Sequence, residues 1–331
     1  ILALSMLYAA AANLSWFAAL FLGIKAAVLA LVVQALLRIA GRALDTRLKQ
    51  ALALAAFLAL ALFALPFPVV VLGAGLIGFV VATLRPDLLA LKPAAQSSPL
   101  PPRPWLASLR SVLVWGVIWA LPMALVLALL GRDHVLWQIG SFFSQLAVVT
   151  FGGAYAVLAY MAQEAVNGFG WLQPGEMADG LGLAETTPGP LILVTQFVGY
   201  LAAFRTPEPF SPLVAGMLGA ALTTWVTFAP CFLWIFAFAP WIERMERAVK
   251  LKGALAAVTA SVVGVIGSLA LWFGGHVLFR TYAGGLPVWT SLDWRSGLLS
   301  LVCVVLLFRL KWGVLAVLGT AALGGLALGQ L

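Results

Sequence analysis

Glycines, threonines and prolines that could build an anion site lie in two short runs of the chain. Residues 150–153 read Thr-Phe-Gly-Gly, and two adjacent glycines weaken a helix interior by about 2 kcal/mol relative to alanine. Residues 184–190 read Ala-Glu-Thr-Thr-Pro-Gly-Pro, where the prolines fit the first turn of a helix and Thr187 suits the N-cap. A helix start there would present free N–H groups and a positive dipole end, which is the geometry of an anion site. The alternative is that the glycines only permit close packing and Pro-Gly-Pro only forms a turn.

Three further side chains are candidates for binding or coupling. Lys25 lies inside an apolar segment, where a cation is costly and usually functional, although it could instead reach an interface. Gln196 could reach an anion or bond a neighbouring helix, and Glu185 could carry a coupling proton or lie at the cytoplasmic edge. The predicted substrate-binding residues are Gly152, Gly153, Thr186, Thr187, Pro188, Gly189, Pro190, Gln196 and Lys25. Glu164, Glu176 and Asp179 are predicted to lie in a solvated loop between the two runs, and His134 and His276 to be structural.

Other chemistries lack their residues in this sequence. There is no paired Cys/His spacing for zinc and no Walker loop for ATP, so we predict no metal and no cofactor. An intramembrane enzyme is the first alternative, but the apolar segments contain no Ser/His pair and no paired carboxylates. A non-transporting scaffold subunit is the second, and the broken helices disfavour it, because irregular backbone at membrane depth needs a cavity or protein cover.

Composition predicts the environment in which these residues act. Of the 331 residues, 63% are hydrophobic and 9% are charged, whereas a soluble domain carries about a quarter charged residues. The apolar residues form blocks long enough to cross a bilayer, without two-residue alternation, which predicts helices rather than a barrel. The net charge of +8 comes from clusters between these blocks, which is typical of cytoplasmic loops and not of nucleic-acid binding.

The elements that must position the candidate residues are apolar segments on either side of a linker. Residues 84–104 contain six prolines and several charges, which predicts a cytoplasmic linker and a domain boundary. The predicted domains are residues 1–83, 84–104 and 105–331. The predicted apolar segments are 1–12, 15–40, 50–65, 67–84, 106–130, 141–163, 188–204, 212–240, 253–279, 296–310 and 312–330.

An internal repeat relates the two ends of the chain. Residues 23–33 match residues 253–263, and weaker matches pair residues 71–73 with 317–319 and Gly78 with Gly324. The basic cluster follows the helix in the first copy and precedes it in the second, so the copies should cross the membrane in opposite directions. We therefore predict an all-α polytopic membrane protein, with about ten to eleven transmembrane or half-spanning helices in two inverted-topology repeats.

Several short motifs together resemble the chromate transporter family. They are Phe-Gly-Gly-Ala at 151–154, Trp-Leu at 171–172, the run 180–190, Phe-Val-Gly-Tyr at 197–200 and the run 224–234. The resemblance is strong over 106–280 and weaker over 1–83 and 296–331. It implies export of chromate, driven by the membrane gradient, by a long two-domain type that here lacks the first part of its N-terminal half. Residues 1–83 would then be the second part of the N-terminal repeat, and 105–331 a complete C-terminal repeat.

The resemblance also sets the partners and location that we expect. The substrate would be chromate, with sulfate or another tetrahedral oxyanion as the alternative, since chromate and sulfate share charge and shape. The other expected partners are the lipid bilayer, protons as coupling ion and a second copy in a homodimer, with no nucleic acid. The location would be a bacterial inner membrane, with multiple passes.

Overall fold

The computed structural model describes residues 1–12, 14–91, 105–149, 154–187, 190–283 and 286–329. Regular structure in these ranges is helical, apart from a strand Tyr282–Ala283 that pairs antiparallel with Leu286–Pro287. Within these ranges, five helices are long and apolar enough to cross a bilayer, and several shorter helices are also apolar. The prediction of an all-α, polytopic membrane protein is confirmed.

The helices follow the apolar blocks of the sequence. In chain order they are α1 Leu2–Ala11, α2 Ser15–Ala43, α3 Arg47–Ala61, α4 Phe67–Leu84, α5 Trp105–Leu130, α6 Val135–Val149, α7 Ala154–Gln163, α8 Pro174–Thr186, α9 Val194–Arg205, α10 Pro212–Phe238, α11 Ile242–Arg247, α12 Val249–Leu278, α13 Trp294–Val304 and α14 Val314–Gly329. Short 3-10 turns occupy Pro86–Leu89, Leu191–Leu193, Ala239–Trp241 and Trp289–Ser291, and π-helical turns occupy Glu164–Gly168 and Val305–Arg309.

The candidate membrane spans are α2, α4, α5, α10 with its following turn, and α12. Prolines at helix starts reinforce their boundaries, as Pro68 does in the first turn of α4, because a proline there removes no intrahelical hydrogen bond. Pro122 and Pro230 lie inside α5 and α10. Membrane helices tolerate such prolines because neighbouring groups satisfy the freed carbonyls.

The chain divides into two compact units that are not contiguous in sequence. Unit 1 contains residues 1–39, 158–220 and 266–331, and unit 2 contains residues 40–157 and 221–265. This division is not the sequential one expected from the repeat. It groups residues by contact and not by internal homology, so the predicted domains 1–83, 84–104 and 105–331 stay a prediction.

Unit 1 is held together by close helix crossings and an aromatic cluster. At Gly23 of α2, an added Cβ would collide with the backbone oxygen of Ala321 on α14, so the two helices pack backbone against backbone. The Tyr8 ring on α1 makes edge contacts with Phe17, Phe21 and Phe197 at centroid distances of 5.7, 5.5 and 5.1 Å. These contacts fix α1 against α2 and α9.

Unit 2 contains an equivalent crossing. At Gly78 of α4, an added Cβ would collide with the backbone oxygen of Gly253 on α12. The Nε1 atoms of Trp119 and Trp225 donate to Ser144 Oγ and to the Ile118 carbonyl at 3.2 and 2.9 Å. These bonds tie α5 to α6 and to α10, although every residue of α5 is at least partly exposed, as suits a helix facing lipid.

Two local predictions are wrong. The predicted solvated loop contains α8, a helix of small residues in which Asp179 is 5% exposed. Thr187 does not cap the start of a helix: it ends α8, and its hydroxyl donates to the Leu183 carbonyl at 2.7 Å. The physical reason is that proline disfavours helical geometry in the residue before it, and Thr187, which precedes Pro188 in the sequence, has extended backbone.

Candidate functional site

Lys25 is the predicted site residue that has other charged side chains of unit 1 close to it. It lies about seven residues beyond Ala18 on α2, and Ala18, Leu22 and Lys25 share one helix face through their spacing of four and three. The Lys25 ammonium lies 3.1 Å from Asp179 Oδ1, and the two side chains are 26% and 7% exposed. A cation in the middle of an apolar helix is therefore paired with a buried carboxylate from α8.

Asp179 is held by a second element as well as by Lys25. The Tyr8 hydroxyl of α1 donates to Asp179 Oδ2 at 2.7 Å. Asp179 Oδ1 is buried, and no donor among the described residues is aligned on it as a hydrogen bond, although Lys25 Nζ is within ion-pair distance. One carboxylate oxygen thus accepts from the Tyr8 hydroxyl, and the other faces the Lys25 ammonium.

The start of α8 is anchored next to Lys25. Gln173 is the N-cap, and its backbone N–H donates to Glu176 Oε2 at 2.8 Å. Arg205, in the last turn of α9, donates to the same oxygen and to the Trp171 carbonyl, both at 2.9 Å. Burial raises the pKa of Glu176, but the hydrogen bonds from Arg205 and Gln173 and the nearby positive charges outweigh it, so this pKa lies below its ordinary value. Glu176 therefore stays charged and holds the first turn of α8 in place.

The anchored turn brings backbone close to the Lys25 ammonium. A Cβ added to Gly175 would lie 3.2 Å from Lys25 Nζ, so the glycine leaves room for the cation. The first backbone N–H groups of a helix lack intrahelical acceptors, and the helix dipole is positive there. Lys25 and Gly175 at the start of α8 together form a surface that carries the Lys25 charge.

This surface lines a cavity of about 580 Å³ that lies within unit 1. It contains a second ion pair, in which Arg280 Nε and Nη2 donate to Asp293 Oδ2 at 3.1 and 2.8 Å. Asp293 also caps α13, because its Oδ1 accepts the Arg295 N–H at 3.1 Å. The lining residues are Ala18, Leu22, Lys25, Gly175, His276, Val277, Phe279, Arg280, Tyr282, Asp293 and Ser296.

The cavity lining contains cationic and hydroxyl groups of the kind that attract an anion. It offers the Lys25 ammonium, the Arg280 guanidinium and the Ser296 hydroxyl, and His276 stacks on Tyr282 at a centroid distance of 4.5 Å. Its volume accommodates a small oxyanion with several waters, since one water occupies about 30 Å³ of liquid. No group of His, Cys, Asp and Glu side chains that could hold a metal ion occurs in the described part of the chain.

Most of the other predicted site residues are not at this cavity or cannot be located. Gly152, Gly153, Pro188 and Gly189 lie outside the described residues, and the Thr186 side chain is also not described. Pro190 precedes the 3-10 turn that leads into α9, Thr187 ends α8, Glu185 is half-buried in the last turns of α8, and Gln196 is half-buried in α9. Of the predicted residues that the structure describes, Lys25 alone lines the cavity.

The sequence interpretation missed Asp179, Tyr8, Arg280, Asp293 and Ser296. Asp179 could have been found from its context, because Met177-Ala178-Asp179-Gly180-Leu181 is an apolar run broken by a single carboxylate, which resembles the context of Lys25. Arg280 and Asp293 carry no such signal. They are loop charges thirteen residues apart, and only the fold of 279–293 brings them together.

Comparison with known proteins shows similarity to the chromate transporter family. The family profile described as "Chromate transporter" matches residues 1–79 and 137–326. A chromate transport protein of Pseudomonas aeruginosa is 32% identical over 257 residues, which cover 76% of this chain and 55% of that protein. One of Cupriavidus metallidurans is 28% identical over 177 residues, covering 54% and 38%. A probable one of Synechococcus elongatus is 29% identical over 165 residues, covering 49% and 39%.

The aligned part of this chain thus spans between 38% and 55% of the length of these relatives. No solved structure is significantly similar to it. The cavity and its ion pairs are therefore described from this chain alone.

Proposed function

This chain belongs to the chromate transporter family, and from that premise we propose that it carries chromate across the membrane, with Lys25 and its cavity as an anion-binding site. The observation that carries the proposal is the Lys25 ammonium, which a buried carboxylate retains at the wall of a cavity large enough for an oxyanion. We propose a carrier and not an enzyme.

The charges of the cavity suit transport. A dianion has to lose much of its hydration to enter the protein, and fixed donors have to compensate for that loss. Lys25 and Arg280 can do so, but Asp179 and Asp293 each hold one of them, so an entering anion shares its cations with a carboxylate. Shared cations bind the anion weakly enough for it to leave, which a carrier requires.

The runs 150–153 and 184–190 are the second candidate location for the anion. Support comes from the motif resemblance and from the glycines, which allow close approach of backbone N–H groups to an oxyanion. The end of α8 at Thr187 disfavours part of this idea, because a helix C-terminus presents carbonyls and the negative end of the dipole. A helix start after Pro190 remains compatible with the structure, because the 3-10 turn that follows Pro190 continues directly as α9.

We further propose export, with energy from the membrane gradient, in a bacterial inner membrane. The absence of a Walker loop from the sequence supports gradient coupling over direct use of ATP. Chromate, sulfate and other tetrahedral oxyanions carry similar charge and shape. An ammonium and a guanidinium attract all of these oxyanions by charge. Selectivity between them therefore has to be measured separately, by competition.

Equilibrium dialysis of the purified chain with radiolabelled chromate tests the site. Wild type should bind chromate saturably, and unlabelled sulfate added as competitor reports selectivity. Lys25→Ala should weaken binding about tenfold to a hundredfold, as expected for loss of a charged hydrogen-bond partner. Thr187→Val removes a hydroxyl that serves α8, and should leave affinity within about twofold if the cavity is the site.

The opposite effects of the two substitutions would assign the anion site to the runs 150–153 and 184–190. If Thr187→Val abolishes binding in a folded protein and Lys25→Ala does not change it, the anion binds near 184–190. If wild type binds neither chromate nor sulfate, the proposed function is wrong for this chain.

A further inference from the structure

The ion pair between Lys25 and Asp179 joins the cavity to a carboxylate that is almost fully buried. Lys25 lines the cavity, and Asp179 lies behind it at 3.1 Å with only 5% of its surface exposed. We propose that Asp179 takes up a proton when an oxyanion binds Lys25, so that this pair couples anion transport to protons. The inference rests on the proposed function and deepens it, because it names the residue that carries the proton. A dianion carried together with one proton moves one net negative charge, which an inside-negative membrane potential drives outward.

The geometry makes the anion and Asp179 competitors for one ammonium. Lys25 Nζ can turn on its flexible side chain toward the cavity, and Gly175 leaves space beside it. An oxyanion that draws Nζ into the cavity lengthens the contact to Asp179 Oδ1. The described residues place no other aligned donor on that oxygen, so Asp179 would lose its main counter-charge.

Protonation of Asp179 removes the buried negative charge that no longer has a counter-charge. A buried carboxylate without a counter-ion is costly, and ionisable groups in that situation become neutral instead. The proton comes from water in the cavity, an O–H bond forms at Asp179 Oδ1, and hydroxide is left to the solvent. The Tyr8 hydroxyl continues to donate to Oδ2, so the neutral side chain keeps its place. When the anion leaves, Lys25 returns and the proton is released.

The surrounding charges do not supply a substitute for Lys25. The groups that act on Asp179 are Tyr8 of α1, Lys25 of α2 and Glu176 of α8 itself. Glu176 is paired with Arg205 of α9, and its negative charge still disfavours a charged Asp179, so it cannot replace the ammonium. The segments Leu191–Leu193 and Val314–Gly329, which also pack against α8, contain no titratable residue.

Proton uptake on anion binding is the direct test. Chromate is added to the purified chain in weakly buffered, mildly alkaline solution, where chromate is a dianion, and a pH indicator reports protons. Wild type should take up as much as about one proton per bound chromate, and affinity should fall by up to about tenfold per unit rise in pH. Asp179→Asn should bind with no uptake and no pH dependence, whereas Asp133→Asn, in an exposed loop, should behave as wild type.

Tyr8→Phe keeps the test valid if Asp179→Asn does not fold. It removes the hydrogen bond that favours the charged carboxylate, so protonation becomes easier and the midpoint of the pH dependence should move upward. Binding by wild type without proton uptake overturns the coupling and leaves the proposed function intact. Full uptake by folded Asp179→Asn, or its loss in Glu185→Gln alone, also overturns it. Failure of wild type to bind chromate contradicts the proposed function itself.

Discussion

At the scale of single residues, two ion pairs set the charge of the cavity, Lys25 with Asp179 and Arg280 with Asp293, and of these four residues the sequence indicates Lys25 alone as a site residue. Lys25 stands out because a cation interrupts an apolar segment, and the structure places it at the wall of a cavity. Its role in binding an anion stays a prediction. The sequence predicts a loop at Asp179 because glycines and charges surround it at 175–185, although these residues form a buried helix. Tertiary packing that buries a glycine-rich, acidic helix leaves little trace in local composition.

Substitution at Lys25 separates charge from packing. Lys25→Arg keeps a cation and should retain part of the chromate binding that Lys25→Ala loses, because a guanidinium can still reach both Asp179 and the cavity. Equilibrium dialysis measures both variants, and Lys250→Ala, which removes an exposed cation of unit 2, is the matched control. Equal binding by Lys25→Ala, Lys250→Ala and wild type would exclude Lys25 from the site.

Arg280 is a second residue whose role can be tested. Arg280→Gln leaves Asp293 in its place as the cap of α13 but removes the guanidinium from the cavity, so we expect chromate affinity to fall about three- to tenfold. The effect should be smaller than at Lys25 because the Arg280 side chain is 65% exposed and water screens its charge. Arg295→Gln, at the neighbouring start of α13, is the control. A larger loss at Arg280 than at Lys25 would reverse the assigned order.

At the scale of elements, the lengths of the apolar segments predict the helices. The residues typical of turns and helix ends do not predict every helix boundary. The segments expected at 15–40, 67–84, 212–240 and 253–279 correspond to α2, α4, α10 and α12 within a few residues. The prolines that follow Thr187 led to the wrong prediction that Thr187 caps the start of a helix. Pro188 and Pro190 fit a helix start, but Pro188 also follows the end of α8, and single residues do not distinguish these two readings.

Glycine crossings connect the elements to the predicted repeat. Gly23 matches Gly253 in sequence and Gly78 matches Gly324, and in the structure Gly23 meets α14 while Gly253 meets α4. Each compact unit thus contains one close crossing between the two predicted copies, Gly23 of α2 against α14 in unit 1 and Gly78 of α4 against Gly253 of α12 in unit 2. That agreement supports the repeat, and the inverted orientation of the copies stays a prediction.

Substitution by alanine tests whether these crossings are required. Gly78→Ala should lower the free energy of unfolding by about 1–3 kcal/mol, because its Cβ would collide with the Gly253 backbone. Gly73→Ala lies on the same helix with open space around it, so its stability should be unchanged or slightly higher. Thermal unfolding in detergent compares the two. Equal melting temperatures would show that α4 and α12 do not need this close approach.

The basic clusters predict which loops face the cytoplasm. Single cysteines placed in 42–49, 85–103 or 244–252, after replacement of Cys231 and Cys303, should resist a membrane-impermeant thiol reagent added to intact cells. A cysteine at Ser291, in the loop with Arg280 and Asp293, should react. Labelling of any basic cluster from outside would contradict the predicted topology.

At the scale of the whole molecule, composition was sufficient for the fold class, and family motifs for the family. An excess of apolar residues with few charges leaves a polytopic membrane protein as the only class that can bury its surface. The two compact units could not be predicted, because each is assembled from segments far apart in sequence, and periodicity reports only local structure. The cavity depends on that assembly, since its lining comes from 18–25, Gly175 and 276–296.

Counterflow in proteoliposomes tests most directly the claim that this chain carries chromate through the Lys25 cavity. Vesicles are loaded with unlabelled chromate, diluted into labelled chromate, and followed in time. The account predicts transient accumulation of label with wild type, a strong reduction with Lys25→Ala, and full activity with Lys250→Ala. Wild-type vesicles that accumulate no more label than empty ones, or Lys25→Ala vesicles that match wild type, would contradict it.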